Sequence, residues 1–166
     1  MARERDTVRA PGRRSAGILL WRKHEDVLEV LLGHPGGPFF AKKDAGAWGV
    51  LKGEMEPGEE PFDVARREFV EETGNALPEG PAIDLGEIRQ KGGKLVIAWA
   101  VEGDLDPTAA SSNTFEMEWP PRSGRTRSFP EIDRVVWFGM DAARTAINPA
   151  QAPFLDRLEA ALRGGA

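Results

Sequence analysis

Gly53-Glu54-Met55-Glu56-Pro57-Gly58-Glu59-Glu60-Pro61-Phe62-Asp63-Val64-Ala65-Arg66-Arg67-Glu68-Phe69-Val70-Glu71-Glu72-Thr73-Gly74 is the stretch on which the fold turns. A turn rich in glycine and proline runs into a segment with helical periodicity. Pro61 suits a first helical position, where its missing N–H would have had no intrahelical partner. Phe62, Ala65 and Phe69 make one apolar stripe at i, i+3 and i+7. Gly74 can adopt the left-handed conformation that stops a helix. The pattern predicts a helix from Pro61 to Thr73.

Glu68, Glu71 and Glu72 share a face of that helix, because residues three and four apart are neighbours. Carboxylates that close repel one another unless a cation lies between them, and acids near a helix C-terminus also oppose its dipole. An oxygen-only, carboxylate-rich surrounding suits a hard cation such as Mg²⁺ or Mn²⁺. Arg67, four before Glu71, can pair with it or reach back to Glu59.

In register, Gly53, Glu59, Arg67, Glu68, Phe69, Glu71, Glu72 and Gly74 match a known pattern. The stretch resembles the Nudix box, glycine-x5-Glu-x7-Arg-Glu-apolar-x-Glu-Glu-x-Gly-apolar. Only the final apolar position departs, being Asn75. The strand entering the box commonly carries a proline in that family, where this chain has Leu51.

Around the box, the 166 residues suggest one α/β domain over 13–166, with residues 1–12 as a flexible arm. A formal charge of -5 disfavours bulk nucleic-acid binding, and the absence of cysteine removes disulfides and thiolate metal sites. No apolar run is long enough for a membrane span and the N-terminus has no secretory h-region. These features lead us to expect a cytoplasmic protein, and the resemblance implies a small-molecule nucleotide as the partner of a monomer or homodimer.

Ser15 to Trp21 and Val27 to Gly33 read as a strand hairpin over the polar turn Arg22–Asp26. Further strands are expected at Ala47–Leu51, Leu85–Gln90, Leu95–Glu102, Ser111–Trp119 and Arg134–Phe138. Helices are expected at Asp141–Ala146 and Gln151–Arg163. This order suggests a mixed sheet with helices on both faces. The resemblance implies the same architecture, a Nudix-type α/β/α sandwich.

Several cations outside the box could meet phosphate: Lys42 and Lys43 in the loop after Pro38, Lys91 and Lys94 at a Gly-Gly turn, and Arg122 and Arg125 in a Pro-Pro-Arg segment. Arginine forks suit bidentate phosphate recognition. The bland reading of each is a solvated loop. His34 beside a Pro-Gly turn could contact a substrate but reads as structural, and Trp119 or Phe115 could stack a base or fill a core.

The resemblance implies divalent-metal-dependent hydrolysis of a phosphoanhydride in a nucleoside diphosphate linked to another moiety, with Mg²⁺ or Mn²⁺ as cofactor. Glu68 and Glu72 are expected to hold metal, Glu71 to share ligation, and the backbone carbonyl of Lys52 to add a further ligand. Family members also supply an acid from a loop beyond the box; Glu131 is the candidate, with Glu116 and Glu118 as rivals. Glu68 or Glu131 would take the proton from water, and Glu59 with Arg67 would fix the helix to the preceding loop. A loose likeness to asymmetric dinucleoside tetraphosphate hydrolases makes a dinucleoside polyphosphate, such as diadenosine tetraphosphate, the leading substrate. Those enzymes usually stack a base on a tyrosine past the box, and this chain has no tyrosine. A nucleoside triphosphate is the rival. A catalytically silent nucleotide-binding module would be expected to lose box acids, whereas all four glutamates and Arg67 are present.

Overall fold

Ser15 to Trp21 are buried without a break, as a strand must be when layers cover both of its faces. In the computed structural model, which describes residues 13–164, they form the middle of β1 (Arg14–His24). The chain reverses at Glu25 and Asp26, both at positive φ (53° and 67°), and returns as β2 (Val27–Pro35). Two consecutive left-handed residues give the turn twist that matches flanking strands. The expected hairpin is thus present, with a tighter turn.

β1 has one edge paired to a single strand and one edge divided between two. Along its first edge it runs parallel to β5 (Leu95–Glu102) from Arg14 to Trp21. Along the other, Trp21 to His24 pair with β2, while Ser15 to Ile18 pair with β3 (Leu51–Glu54). β4 (Ala82–Arg89) lies outside β5, and β8 (Ile132–Gly139) lies outside β2, giving the order β4-β5-β1-β2-β8 with β3 beside β1. Parallel and antiparallel pairs coexist, so the sheet is mixed.

Alternation along β1 assigns the layers. Ala16, Ile18 and Leu20 pack with Val64, Ala65 and Phe69 of α1 (Pro61–Thr73). Leu19 and Trp21 face the opposite side, in the core that includes Phe154, Leu155 and Leu158 of α3 (Ala152–Gly164). The short α2 (Met140–Ala146) joins that second layer through Ala143 and Ala146. The result is the α/β/α sandwich expected from the order of elements.

Two expectations need correction. The strand anticipated at Ala47–Leu51 begins at Leu51 instead. Trp48 and Gly49 make only isolated bridges, to Ile147 and Gly33, and Trp48 Nε1–H donates to Asp44 Oδ1 at 2.8 Å. The apolar run there is a buried loop filling the α2–α3 side, not a ladder. The segment at Ser111–Trp119 shortens to β6 (Thr114–Glu118), which forms a separate two-stranded sheet with β7 (Thr126–Pro130). Residues 1–12, expected to be an arm, lie outside the described residues. Among the described residues no helix is long and apolar enough to cross a membrane.

Candidate active site

α1 has the bounds its sequence predicts, Pro61–Thr73, and Gly74 ends it at φ 71°, its N–H donating to the Val70 carbonyl. The last turn of a helix leaves carbonyls without intrahelical partners. Here they recruit a distant segment: Ser111 N–H donates to Thr73 O and Asn113 N–H to Glu71 O, each at 2.8 Å. Asn113 O in turn accepts from Glu131 N–H at 2.9 Å. The helix end therefore brings Glu131 beside its own acids, although the two are sixty residues apart in sequence.

Glu68 and Glu72 project from α1 toward β3. A Cβ at Gly53 would lie 2.0 Å from Glu68 Cδ and 2.2 Å from its Oε1, so only glycine lets the carboxylate rest on the strand. Glu68 is partly buried; burial first, then the Glu71 charge, raise its pKa. Glu72 is 6% exposed, and its Oε1 is a buried oxygen with no hydrogen-bond partner among the described residues. Burial and then the Glu68 charge push the Glu72 carboxyl up to about 9, against the opposing pull of Lys52. Lys52, whose ammonium faces these acids, is lowered by its own burial.

Arg67 holds the loop ahead of the helix to the helix itself. Its Nη1 lies 2.7 Å from Glu59 Oε2, and it also reaches Glu68 at 3.6 Å and Glu71 at 3.9 Å. Glu59 accepts a second bond from the Glu56 N–H at 2.8 Å, and the hydrogen bond from Arg67 keeps its carboxyl below the ordinary range. The pair sits at the surface, so its value is in geometry rather than stability.

Glu68, Glu71, Glu72 and Glu131 line one cleft of about 420 Å³ together with Lys52, Gly53, Lys94 and Asn113. A recess of about 430 Å³ adjoins it, and Lys52, Glu72, Lys94 and Glu131 belong to both. Phe40, Trp48, Gln90, Asn148 and Gln151 furnish the far part of the recess. A larger hollow of about 670 Å³ lies elsewhere, over Arg22, Asp104 and Trp137. Arg22 is there neutralised by Glu29 at 2.8 Å and Asp104 at 2.7 Å, so size alone does not mark the chemistry.

The remaining candidates are distributed unevenly. Lys42, Lys43, Lys91, Arg122 and Arg125 are exposed and do not line the cleft or its recess, whereas Lys52 and Lys94 line both. Glu116 and Glu118 ride on the exposed β6–β7 hairpin, where Glu118 Oε2 accepts from Gly124 N–H at 2.6 Å. His34 is fully buried: Nε2 meets the Lys43 carbonyl at 2.7 Å and Nδ1 meets Asp133 Oδ1 at 3.0 Å. It ties β2 to β8 and to the 36–46 loop, and has no free nitrogen. Phe115 packs on Phe129 with centroids 6.0 Å apart, and Trp119 on Phe39 at 5.6 Å, and none of the four lines the recess. Gln90, Asn148 and Gln151 of the recess carry no sequence signal that would have singled them out.

The cleft can accept a hard divalent cation. Its acids present oxygen only, and Glu72 Oε1 is a desolvated acceptor awaiting a partner. Among the described residues no three acidic or histidine side chains already converge at coordinating geometry. The fit therefore rests on the donor set and on that orphaned oxygen.

The architecture recurs in solved structures. The NUDIX domain of Shewanella oneidensis NrtR, complexed with ADP ribose, superposes with a TM-score of 0.65 at 15% identity, covering 95% of this chain and 92% of that one. A Caenorhabditis elegans (C. elegans) Ap4A hydrolase gives 0.63 at 20% identity over 90% and 98%. A mutT/nudix family protein from Listeria innocua gives 0.63 at 19% identity over 95% and 98%. At such identities the likeness concerns the fold. The family model for the NUDIX domain matches residues 11–158, and with the box geometry now in view, the chain belongs to the Nudix family.

Proposed function

We propose that the chain hydrolyses a phosphoanhydride bond of a nucleoside polyphosphate, with the phosphates in the acid cleft and one nucleoside in the adjoining recess. The observation that carries this reading is the junction of the two spaces at Lys52, Glu72, Lys94 and Glu131. Glu68, Glu71, Glu72, Glu131 and the Lys52 carbonyl would hold Mg²⁺ or Mn²⁺. Such a cation supplies charge neutralisation on the phosphate oxygens and acidifies a nearby water. Lys52 and Lys94 bind phosphate. Glu68 or Glu131 accepts the proton from the attacking water, since both face the cleft and neither is tied in a full set of hydrogen bonds. Arg67 and Glu59 keep Glu68 aimed at β3, and the buried wall around Glu72 excludes competing solvent.

One recess seats one nucleoside, which favours a nucleoside triphosphate. The dinucleoside polyphosphate reading, with diadenosine tetraphosphate as its example, is supported by a different feature. Phe39, 61% exposed, forms an edge-on pair with Trp119 near the arginine-bearing hairpin tip, a surface able to stack a second base. A regulatory module that only binds nucleotide, the alternative raised by the NrtR likeness, accounts for neither the intact acid set nor the orphaned Glu72 oxygen. A panel of nucleotides incubated with Mg²⁺ or Mn²⁺, with products resolved by ion exchange, tests the proposal. Pyrophosphate plus a monophosphate supports the triphosphate reading, and a mononucleotide plus a triphosphate the dinucleoside reading. Nucleotide binding without any cleavage contradicts both.

A further inference from the structure

The recess beside the acid cleft is polarised by two linked amides, one buried and one half-buried. Gln151, 3% exposed, accepts from Val50 N–H through Oε1 at 2.9 Å and donates through Nε2 to Gln90 Oε1 at 2.7 Å. A backbone N–H can only donate, so Val50 fixes which end of the Gln151 amide faces it. That choice propagates. The Gln151 NH₂ must face Gln90, and the Gln90 carbonyl must turn toward Gln151. A Cβ at Gly49 would lie 2.9 Å from Gln151 Oε1, so the glycine there leaves room for the amide.

Gln90 itself is held at the mouth of the β4–β5 turn, its N–H donating to Lys94 O at 2.7 Å and its carbonyl accepting from Gly93 N–H at 3.0 Å. With its side-chain oxygen taken, its NH₂ has no acceptor among the described residues and is not a sealed-off atom, and Gln90 lines the recess. Asn148 repeats the arrangement. Its Oδ1 accepts from Ala150 N–H at 2.9 Å, and its NH₂ has no acceptor among the described residues on the same wall. The far wall of the recess therefore offers two amide donors whose orientation is set by backbone N–H groups. The carboxylates of the recess, Glu72 and Glu131, lie on the side shared with the acid cleft.

We propose that this wall selects nucleotides whose base carries a ring carbonyl, a 6-oxopurine or a 4-oxopyrimidine, over those carrying an exocyclic amine, with Gln90 as the specificity-determining residue and Gln151 as the residue that positions it. Guanine offers O6 and N7 as adjacent acceptors and a 4-oxopyrimidine offers O4, whereas adenine and cytosine present an amino donor at the corresponding place. Donor against donor leaves buried groups unpaired, and sites built to hydrogen-bond one pattern reject the other strongly. The proposal rests on the hydrolase reading above and refines its substrate.

The test compares kcat/KM for GTP and UTP with ATP and CTP in the natural protein and in Gln90→Leu and Gln90→Glu, with melting curves as a folding control. The natural protein is expected to favour GTP over ATP by about 10- to 100-fold. Gln90→Leu should remove most of that ratio, and Gln90→Glu, which presents acceptors, should carry it toward ATP. Cleavage of GTP and ATP with equal efficiency, or a ratio that neither substitution moves, overturns the inference. If no nucleotide is cleaved, the hydrolase reading fails instead, and calorimetric titration with GDP and ADP decides the recess. Tighter GDP binding then upholds the donor wall, and equal affinities overturn it.

Discussion

Gly53→Ala is the substitution for which the structure gives the sharpest expectation. The new methyl would stand 2.0 Å from Glu68 Cδ, 2.2 Å from Oε1 and 2.5 Å from Oε2. Favourable contact between carbons begins near ~3.5 Å, so the carboxylate must withdraw by about 1.5 Å. The three nearest atoms all belong to the flexible end of one side chain, which can move without disturbing the backbone. The fold should hardly register the change, with a melting temperature within about 5 °C of the natural protein. Catalysis should register it strongly, since misplacing a reacting group by about 1 Å costs on the order of 100-fold. The assay is phosphate release from the preferred nucleotide at saturating Mg²⁺, alongside thermal melting of the same samples. Turnover within about threefold of the natural rate would refute the placement of Glu68 against β3, whatever the melting curve shows.

Other expectations follow from single groups. Glu72 binds its proton up to about pH 9 in the folded protein, against 4.5 as its ordinary value. Between those values the folded state carries one more proton than the unfolded chain, so metal-free stability falls as pH rises through that window, by up to ~1.4 kcal/mol per pH unit. The slope difference between natural protein and Glu72→Gln in pH-dependent melting checks this, and identical slopes contradict it. For the same reason, adding metal at pH 7 should release close to one proton from Glu72, read as a buffer-dependent heat; no buffer dependence contradicts it. Arg67→Ala should leave the melting temperature nearly unchanged, because the pair with Glu59 is exposed, yet lower kcat by about 10- to 100-fold. A loss confined to KM would show that Arg67 contacts substrate instead. His34→Ala strips a fully buried ring from its contacts with the Lys43 carbonyl and Asp133, and should cost about 2–4 kcal/mol in denaturant unfolding. A cost below about 1 kcal/mol would show that the ring does not hold these segments together.

Where local chemistry decides the conformation, the sequence reading and the structure coincide. α1 begins at a proline and ends at a glycine in the left-handed region, so both bounds are set by residues whose backbone allows little else. Leu95–Glu102 is likewise a strand because its apolar residues suit the centre of a sheet covered on both sides. Where pairing decides, the two part. Ala47 to Leu51 has strand composition, yet Trp48 and Val50 are buried in a loop, and only the four residues from Leu51 find a ladder. β7 escapes a sequence reading because Thr126–Pro130 is mostly exposed and, among the described residues, pairs with β6 alone, so nothing in its own pattern announces a strand. The acids of α1 are visible as a spacing of three and four. The amide relay from Val50 through Gln151 to Gln90 is not, because it joins residues 101 and 61 positions apart through orientation rather than residue type.

Metal affinity is the property that the acid cleft sets most directly. Mn²⁺ titrated by calorimetry into the natural protein and into Glu72→Gln, with matched melting curves, isolates the buried oxygen that has no partner in the fold. Saturable binding to the natural protein is expected, with an affinity at least about 10-fold weaker in the variant. Equal isotherms for the two proteins would contradict it.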